Sequence, residues 1–203
     1  MENNLINQFG NIDIYLFDQL LKGRFGHCKN ILDVGCGSGR NLVYFLRNGF
    51  NVYGVDLDPW AVGEVQALNN VVAPGNPPEN FKVAPAESLP YKNGSFDLII
   101  CSAVLHFARN QDHFDAMLQD IWRVLIPGGY LFIRLASNIG IEHLVEPLGE
   151  GRYHLPDGSE RFLVTEEMLL YYTQELGGRL FENIKTTNVQ NLRCMTTWCL
   201  QKM

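Results

Sequence analysis

One short segment constrains the fold of this chain more than any other: residues 31–41, which read ILDVGCGSGRN. The apolar run at its start predicts a buried strand. Glycines at 35, 37 and 39 follow, and because glycine has no Cβ, the backbone can turn sharply there and approach a ligand closely. Apolar side chains at helical spacing over residues 42–46 then predict a helix after the turn.

A second predicted strand, residues 52–55 (VYGV), ends directly before Asp56. The order strand, glycine turn, helix, strand and carboxylate is typical of a nucleoside-binding crevice at the carboxyl ends of parallel strands. A glycine-rich turn that merely joins a strand to a helix, with no ligand, is the alternative that the segment alone leaves open.

The spacing of the glycines argues against a dinucleotide. The dinucleotide fingerprint G-x-G-x-x-G would place its third glycine at position 40, which is Arg40 here. Asp33 also stands two residues before the first glycine, and its carboxylate would repel a pyrophosphate. A ligand with a positive amino group and no phosphate therefore suits this turn better.

The turn Asp33–Gly39 resembles the first motif of class I S-adenosylmethionine (SAM) dependent methyltransferases, of the methyltransferase domain type 11/12. Residues 96–99 (FDLI) and 127–129 (PGG) are similar to two later landmarks of that family, and the resemblance covers roughly residues 28–135. A weaker resemblance, to tellurite-resistance-type small-molecule methyltransferases, rests on the segments 39–41, 48–50 and 195–198.

The resemblance implies an α/β, Rossmann-like fold: a seven-stranded, mostly parallel sheet with one antiparallel strand and helices on both faces. The residues themselves agree, since predicted strands alternate with helices. The last two predicted strands, residues 180–187 and 192–200, are joined by a short loop, so the final strand should run antiparallel. A chain of 203 residues can bury one core, and we expect a single domain over 1–203 with an N-terminal lid helix within 1–27.

Composition narrows the function classes. The net charge is −6 and the 16 Lys and Arg residues are scattered, so no nucleic-acid partner is expected. No apolar run approaches the length of a membrane span, and residues 1–4 (MENN) lack the basic start of a signal peptide. We therefore expect a cytoplasmic protein that does not bind a membrane. Five cysteines without a C-x-x-C pair, and histidines without metal-site spacing, favour neither a disulfide framework nor a metal site. The oligomeric state cannot be predicted from this sequence.

With SAM as the implied cofactor, each part of that molecule needs a partner. Asp56 offers two acceptor oxygens to the ribose hydroxyls, in charge-assisted hydrogen bonds. The backbone of Gly35, Cys36 and Gly37 would face the methionine part, and Asp33 would hold its ammonium group directly or through water. The alternatives are a turn or helix-capping aspartate at 56, and a strand-end acid bonded to nearby backbone at 33.

Recognition of the adenine ring departs from the family pattern. Related enzymes often carry an aspartate where this chain has Pro85. The backbone N–H of Ala86 can still reach a ring nitrogen, and Glu87 could replace the missing acid, although a solvated loop acid is an equal alternative. Leu57 and Leu89 are the candidates to sandwich the ring.

Residues at and just after the end of a further predicted strand, 95–101 (SFDLIIC), would face the sulfonium. Cys101 is predicted to contact the cofactor through its backbone carbonyl, and His106 is the best candidate for a general base because histidine accepts protons near neutral pH. A packing or helix-capping histidine is the alternative at position 106. Residues 136–162, in the region that commonly forms the substrate cap in this family, are the candidate substrate cap. Its candidate acceptor-binding side chains are Arg152, Tyr153, His154 and Arg161.

Three functions remain to be compared. SAM-dependent transfer of a methyl group to a small-molecule acceptor is favoured. A non-catalytic SAM-binding or partner-activating protein with the same fold is the alternative, and a nicotinamide dehydrogenase is disfavoured by Arg40 and Asp33. The sequence leaves open which acceptor is used, and whether O, N, S or a metalloid is methylated.

Overall fold

The computed structural model describes residues 5–203, so the first four residues of the predicted N-terminal region 1–27 lie outside the described residues. The helices of the described chain are α1 (Leu5–Phe9), α2 (Ile14–Leu21), α3 (Val43–Arg47), α4 (Pro59–Val72), α5 (Gln111–Val124) and α6 (Glu166–Glu175). Its strands are β1 (Asn30–Val34), β2 (Asn51–Asp56), β3 (Phe81–Val83), β4 (Phe96–Ser102), β5 (Leu125–Ser137), β6 (Glu146–Gly149), β7 (Arg152–His154), β8 (Glu160–Phe162), β9 (Gly178–Leu180), β10 (Lys185–Val189) and β11 (Arg193–Lys202). Short 3₁₀ turns span Pro78–Asn80 and Leu105–Phe107.

Eight strands form the main sheet, in the order β10-β11-β5-β4-β1-β2-β3, with β9 also paired to β11. Strand β11 pairs antiparallel with β5, β9 and β10, whereas β1 to β5 pair in parallel where they are neighbours. One strand therefore runs against the other seven, and the predicted fold class, mostly parallel with one antiparallel strand, is confirmed.

The main sheet has one more strand than expected because the predicted strand over 180–187 is divided. Residues 181–184 leave the sheet between β9 and β10. At this break the ring of Phe181 packs edge-on against Tyr130, with centroids 5.0 Å apart, and against Phe25 at 6.3 Å. The half-buried ring of Phe181 thus packs against the core at the break, while its backbone N–H still donates to Cys199 O at 3.2 Å.

The sheet lies between two layers of helices. Successive strand side chains point to opposite faces, so neighbours on β1 enter different clusters. Ile31 joins Leu98 and the side chains of α2, α3 and α4, whereas Leu32 joins Ile99 and the side chains of α5 and α6. All four of these residues are fully buried, which places both halves of the core against the central strands.

Within residues 5–203, four helices begin at side-chain caps, which accept backbone N–H groups that have no partner inside the helix. Asp13 accepts from Tyr15 N at 2.9 Å and opens α2. Asp58 accepts from Trp60 N at 2.9 Å and opens α4, and Asn110 accepts from His113 N at 2.9 Å and opens α5. Thr165 accepts from Met168 N at 3.1 Å and opens α6. These caps fix the helices that follow the functional ends of the strands.

The segment 136–162 forms a small antiparallel sheet, in the order β6-β7-β8, after the end of β5. No helix forms over 139–147; turns and the start of β6 occupy those residues. Phe162, at the end of β8, stacks on Phe114 of α5 with ring centroids 4.9 Å apart. The contact holds the small sheet beside residues 105–108, at the carboxyl end of β4.

Within residues 5–203, no helix is long and apolar enough to cross a membrane. In the same range, no group of three or more His, Cys, Asp or Glu side chains is arranged to hold a metal ion. All five cysteines are buried.

Candidate functional site

A first cavity of about 340 Å³ opens at the carboxyl ends of β1, β2 and β4. Five of the cofactor-binding residues suggested by the sequence line it: Gly35, Asp56, Leu57, Ala86 and Glu87. We call it the cofactor cleft. Its position, where several parallel strands end, is the one in which open α/β sheets bind ligands.

Asp56 fixes the glycine turn to the end of β2. Its Oδ2 accepts a hydrogen bond from Gly37 N at 2.9 Å, and its Oδ1 accepts from Asp58 N at 3.0 Å. Each carboxylate oxygen has a second lone pair, so these backbone bonds leave acceptor capacity for a ligand. The turn-forming role and a ligand-binding role at Asp56 are therefore compatible.

The glycine turn is held tightly against neighbouring elements. Gly35 N and Cys36 N both donate to Val55 O, at 2.8 and 2.9 Å. Gly35 has φ +71°, and a Cβ there would lie 2.2 Å from Cγ2 of Val104. The Cys36 side chain is buried beside Gly54, so only the backbone of this residue is available to a ligand.

Asp33 is buried and lacks a partner. It is 1% exposed, and within the described residues neither of its carboxylate oxygens has a hydrogen-bond partner. Burial raises the pKa of this carboxyl well above its usual range; Arg40 opposes the increase and Asp56 adds to it. A buried acid without a partner is costly, and a cationic group bound beside it would relieve that cost.

The far end of the cofactor cleft combines one acid with one histidine. Glu87 Oε1 lies 3.1 Å from Nε2 of His113, whose Nδ1 accepts from Arg109 N at 3.1 Å. Leu57 is 69% exposed at the cleft, whereas Leu89 is buried in the core and does not line it. Of the two leucines expected to sandwich the ring, the structure brings only Leu57 to the cavity.

A second cavity of about 300 Å³ adjoins the first, and Ala103 lines both. Ala103 has φ +65°, a conformation that is costly for a residue with a Cβ and that concentrates at functional sites. Its N–H donates to Arg134 O at 2.7 Å, which ties it to β5. The charged residues and the histidine of this second cavity are Asp13, Arg40, His106, Arg134, Asp157, Arg161 and Arg193.

His106 is 5% exposed and lies in the wall of the second cavity. Its Nδ1 accepts a hydrogen bond from Ala136 N at 3.1 Å, so the proton of the neutral ring is on Nε2. Burial, followed by the positive charges of Arg161 and Arg193, lowers the pKa of His106 to about 4. At neutral pH this ring is an uncharged hydrogen-bond donor toward a ligand.

The remaining predicted residues take other places. The Cys101 side chain is fully buried, and burial raises the pKa of its thiol. Of the cap residues, Arg161 lines the second cavity, whereas Arg152 and Tyr153 line neither cavity. Arg152 donates to Ala108 O at 3.4 Å and to Glu160 at 3.3 Å.

Sequence reasoning missed Asp13, Arg134 and Arg193. Asp13 accepts from Arg134 at 2.7 Å across 121 residues of sequence. Arg193 begins β11, and because β11 runs antiparallel to β5, its first residues lie at the edge where β5 ends. The one available signal was Arg134 itself, a charged residue near the end of a predicted apolar strand.

Comparison with known proteins places this geometry among methyltransferases. Residues 32–133, half of the chain, match the family described as a methyltransferase domain. An uncharacterized methyltransferase of Synechocystis sp. is 35% identical over 101 residues, which are 50% of this chain and 44% of that protein. The chain spans about half, or less, of the length of the curated relatives it matches.

Two solved structures share the fold. The 1,6-didemethyltoxoflavin-N1-methyltransferase of Burkholderia thailandensis, with 1,6-didemethyltoxoflavin and S-adenosylhomocysteine bound, has a TM-score of 0.65 and 22% identity over 91% of this chain and 75% of that one. TehB of Haemophilus influenzae has a TM-score of 0.68 and 18% identity, covering 95% of this chain and 63% of that one.

Proposed function

The chain belongs to the methyltransferase domain family, and we propose that it binds SAM in the cofactor cleft and transfers the methyl group to a small molecule in the second cavity. One observation carries this proposal: Ala103 is a shared wall between the two cavities. The cofactor cleft holds the glycine turn and Asp56, so a methyl donor bound there would have an acceptor space beside it.

The residues of the cofactor cleft, together with the buried acid before its glycine turn, fit the parts of SAM. Asp33 does not line the cleft, but its carboxyl has no hydrogen-bond partner within residues 5–203 and suits the ammonium group of the methionine part. The free lone pairs of Asp56 suit the two ribose hydroxyls. Leu57, Ala86 and Glu87 line the end that remains for the adenine ring.

Bound SAM supplies a methyl group that its sulfonium has already activated. The chain therefore has to hold two molecules in line and keep water out, which are the main sources of rate enhancement in such a transfer. The burial of His106 and its bond from Ala136 argue against the general-base role suggested by the sequence. We assign His106 instead to positioning the acceptor through its Nε2–H.

A small acceptor is supported by the size of the second cavity. About 300 Å³ lies at the lower end of the range for small-molecule pockets. The Burkholderia thailandensis structure, which has the same fold, contains bound 1,6-didemethyltoxoflavin and S-adenosylhomocysteine. A SAM-binding protein without turnover would keep the cofactor cleft alone, and the acceptor-sized space beside Ala103 favours the enzyme.

Calorimetry with SAM, S-adenosylhomocysteine and NAD tests the cofactor. Asp56→Ala removes charged hydrogen bonds worth roughly 1.5–3 kcal/mol, so S-adenosylhomocysteine should bind about ten- to a hundredfold more weakly. Asp97→Ala is the matched control, since Asp97 also accepts two backbone N–H groups, from Lys29 and Asn30, but at the opposite end of β1. Unchanged affinity in Asp56→Ala would contradict the assignment, and tighter binding of NAD than of SAM would refute the proposal.

Turnover separates an enzyme from a silent binding protein. The wild-type protein should release S-adenosylhomocysteine from SAM when it is incubated with a panel of small molecules and followed by mass spectrometry. Tight SAM binding without methylated product from any acceptor class would favour the non-catalytic alternative.

A further inference from the structure

The charge of the second cavity differs in sign from that of the whole chain. Four arginines and two aspartates line the cavity, and its histidine is neutral at pH 7, so the lining has an excess of two positive charges. The chain as a whole has a net charge of −6. A local positive site on an acidic protein draws anions selectively.

The two aspartates of the cavity already have partners. Asp13 Oδ2 accepts from Arg134 at 2.7 Å and lies 3.9 Å from Arg40. Asp157 accepts from the N–H and the hydroxyl of Ser159, at 2.9 and 2.6 Å. These carboxylates therefore neutralise Arg134 and part of the charge of the other three arginines. They leave an excess of positive charge in the cavity.

Arg161 and Arg193 provide that excess. Arg161 donates to the backbone oxygen of Glu160 at 2.7 Å, its guanidinium lies 5.0 Å from the centre of the Phe107 ring, and it has no carboxylate partner within residues 5–203. Arg193 forms an ion pair with Asp157 at 3.8 Å, too long for a hydrogen bond, and both Arg161 and Arg193 lower the pKa of Asp157, so this carboxylate offsets part of their charge. Both guanidinium groups lower the pKa of His106, so their charges act on the cavity wall.

The rest of the lining is apolar. Ala136, Leu155 and Met195 line the same cavity, and Leu155 is 1% exposed. A cavity of about 300 Å³ is larger than a bare inorganic oxyanion needs. The combination of charged and apolar walls fits an organic molecule with an anionic end.

On the basis of the proposed function, we infer that the methyl acceptor is an organic molecule that carries a carboxylate group. Arg161 and Arg193 bind this carboxylate. Guanidinium groups hold carboxylates through two parallel hydrogen bonds, which fixes orientation as well as charge. His106 Nε2–H is a third donor, and the apolar part of the acceptor packs against Leu155 and Met195. The carboxylate thus orients the acceptor relative to Ala103 and the cofactor cleft.

The test is calorimetry on the full chain saturated with S-adenosylhomocysteine. The probes are propionate, benzoate and phenylpropanoate. Each is compared with its carboxamide, which has nearly the same shape without the charge. Sulfate and phosphate are tested separately as inorganic anions. We expect at least one carboxylate to bind about tenfold or more tightly than its amide, because bonds to a charged group are worth roughly 1.5–3 kcal/mol.

Variants assign that preference to the arginines. Arg161→Gln and Arg193→Gln should each remove most of the preference for carboxylate over amide, and Arg161→Lys should keep part of it, since lysine retains the charge but not the paired donors. Arg179→Gln is the control, because the Arg179 side chain lies outside the lining of both cavities and donates to the Gln201 side chain. Thermal unfolding of each variant establishes that it is folded.

The outcomes separate this inference from the proposed function. If S-adenosylhomocysteine binds but no carboxylate is preferred over its amide, or if both glutamine variants keep the preference, the inference fails and the proposed function stands. Tighter binding of sulfate or phosphate than of every organic probe would also overturn it, in favour of an inorganic oxyanion. Failure of S-adenosylhomocysteine to bind the wild-type protein would instead refute the proposed function.

Discussion

Replacing Gly35 by alanine should destabilise the ligand-free protein through two separate effects. The residue has φ +71°, and an alanine in the left-handed region costs roughly 1–2 kcal/mol. The new Cβ would also lie 2.2 Å from Cγ2 of Val104, and accommodating extra atoms in a packed site costs about 1–3 kcal/mol. The expected loss of unfolding free energy is therefore roughly 2–5 kcal/mol.

Gly49→Ala isolates the backbone effect. Gly49 has φ +76°, and a Cβ there would meet nothing within 4 Å. The loss of unfolding free energy in Gly49→Ala should stay at roughly 1–2 kcal/mol, which corresponds to a fall in melting temperature of about 2–8 °C for a chain of this size. The excess loss in Gly35→Ala is the cost of the clash with Val104.

Val104→Ala removes the clashing methyl groups, so the double variant Gly35→Ala/Val104→Ala should recover most of the excess. Denaturant unfolding of the four proteins gives a coupling free energy, expected to be favourable by about 1–3 kcal/mol. If Gly35→Ala costs no more than Gly49→Ala, or if Val104→Ala gives no recovery, the glycine turn is not packed as the structure has it.

Two further predictions concern the second cavity. The unfolded chain protonates His106 near its ordinary pKa of about 6.5, whereas the folded chain does so only near pH 4, so stability should fall as the pH drops through this window, by about 3 kcal/mol in total. The free energy of unfolding, measured from pH 4 to pH 7, should depend less on pH in His106→Asn than in the wild-type protein. An equal pH dependence in the two proteins would contradict a buried, neutral His106 ring. Asp13→Ala should cost about 3–5 kcal/mol because it leaves Arg134 without its buried partner, whereas Asp18→Ala, which breaks an exposed pair with Lys22, should cost about 1 kcal/mol or less in denaturant unfolding.

The sequence predicted the parts of the fold that local patterns determine. The strand before Gly35, the helix after the glycine turn and the strand that ends at Asp56 depend on residues close together in the chain, and all of them form. The family prediction rested on the same kind of local pattern and is confirmed by the match over residues 32–133.

Long-range contacts account for what the sequence did not show. The break between β9 and β10 lies where Phe181 packs against Tyr130, a contact that no local pattern reveals. The sequence alone could not show which arginine of the cap, Arg152 or Arg161, lines the second cavity, because this depends on the strand register. Arg152 pairs with Phe162, one residue beyond Arg161, so the two arginines project from opposite faces of the small sheet.

The family match ends at residue 133, one position before Arg134, so it covers the whole lining of the cofactor cleft but only part of the lining of the second cavity. Arg40 and His106 lie within the matched range, but Asp13, Arg134, Asp157, Arg161 and Arg193 come from the flanks on either side. Under the proposed function, substitutions in the flanks alter the acceptor site and leave the cofactor cleft unchanged. Likeness over residues 32–133 therefore says little about which acceptor a methyltransferase domain uses.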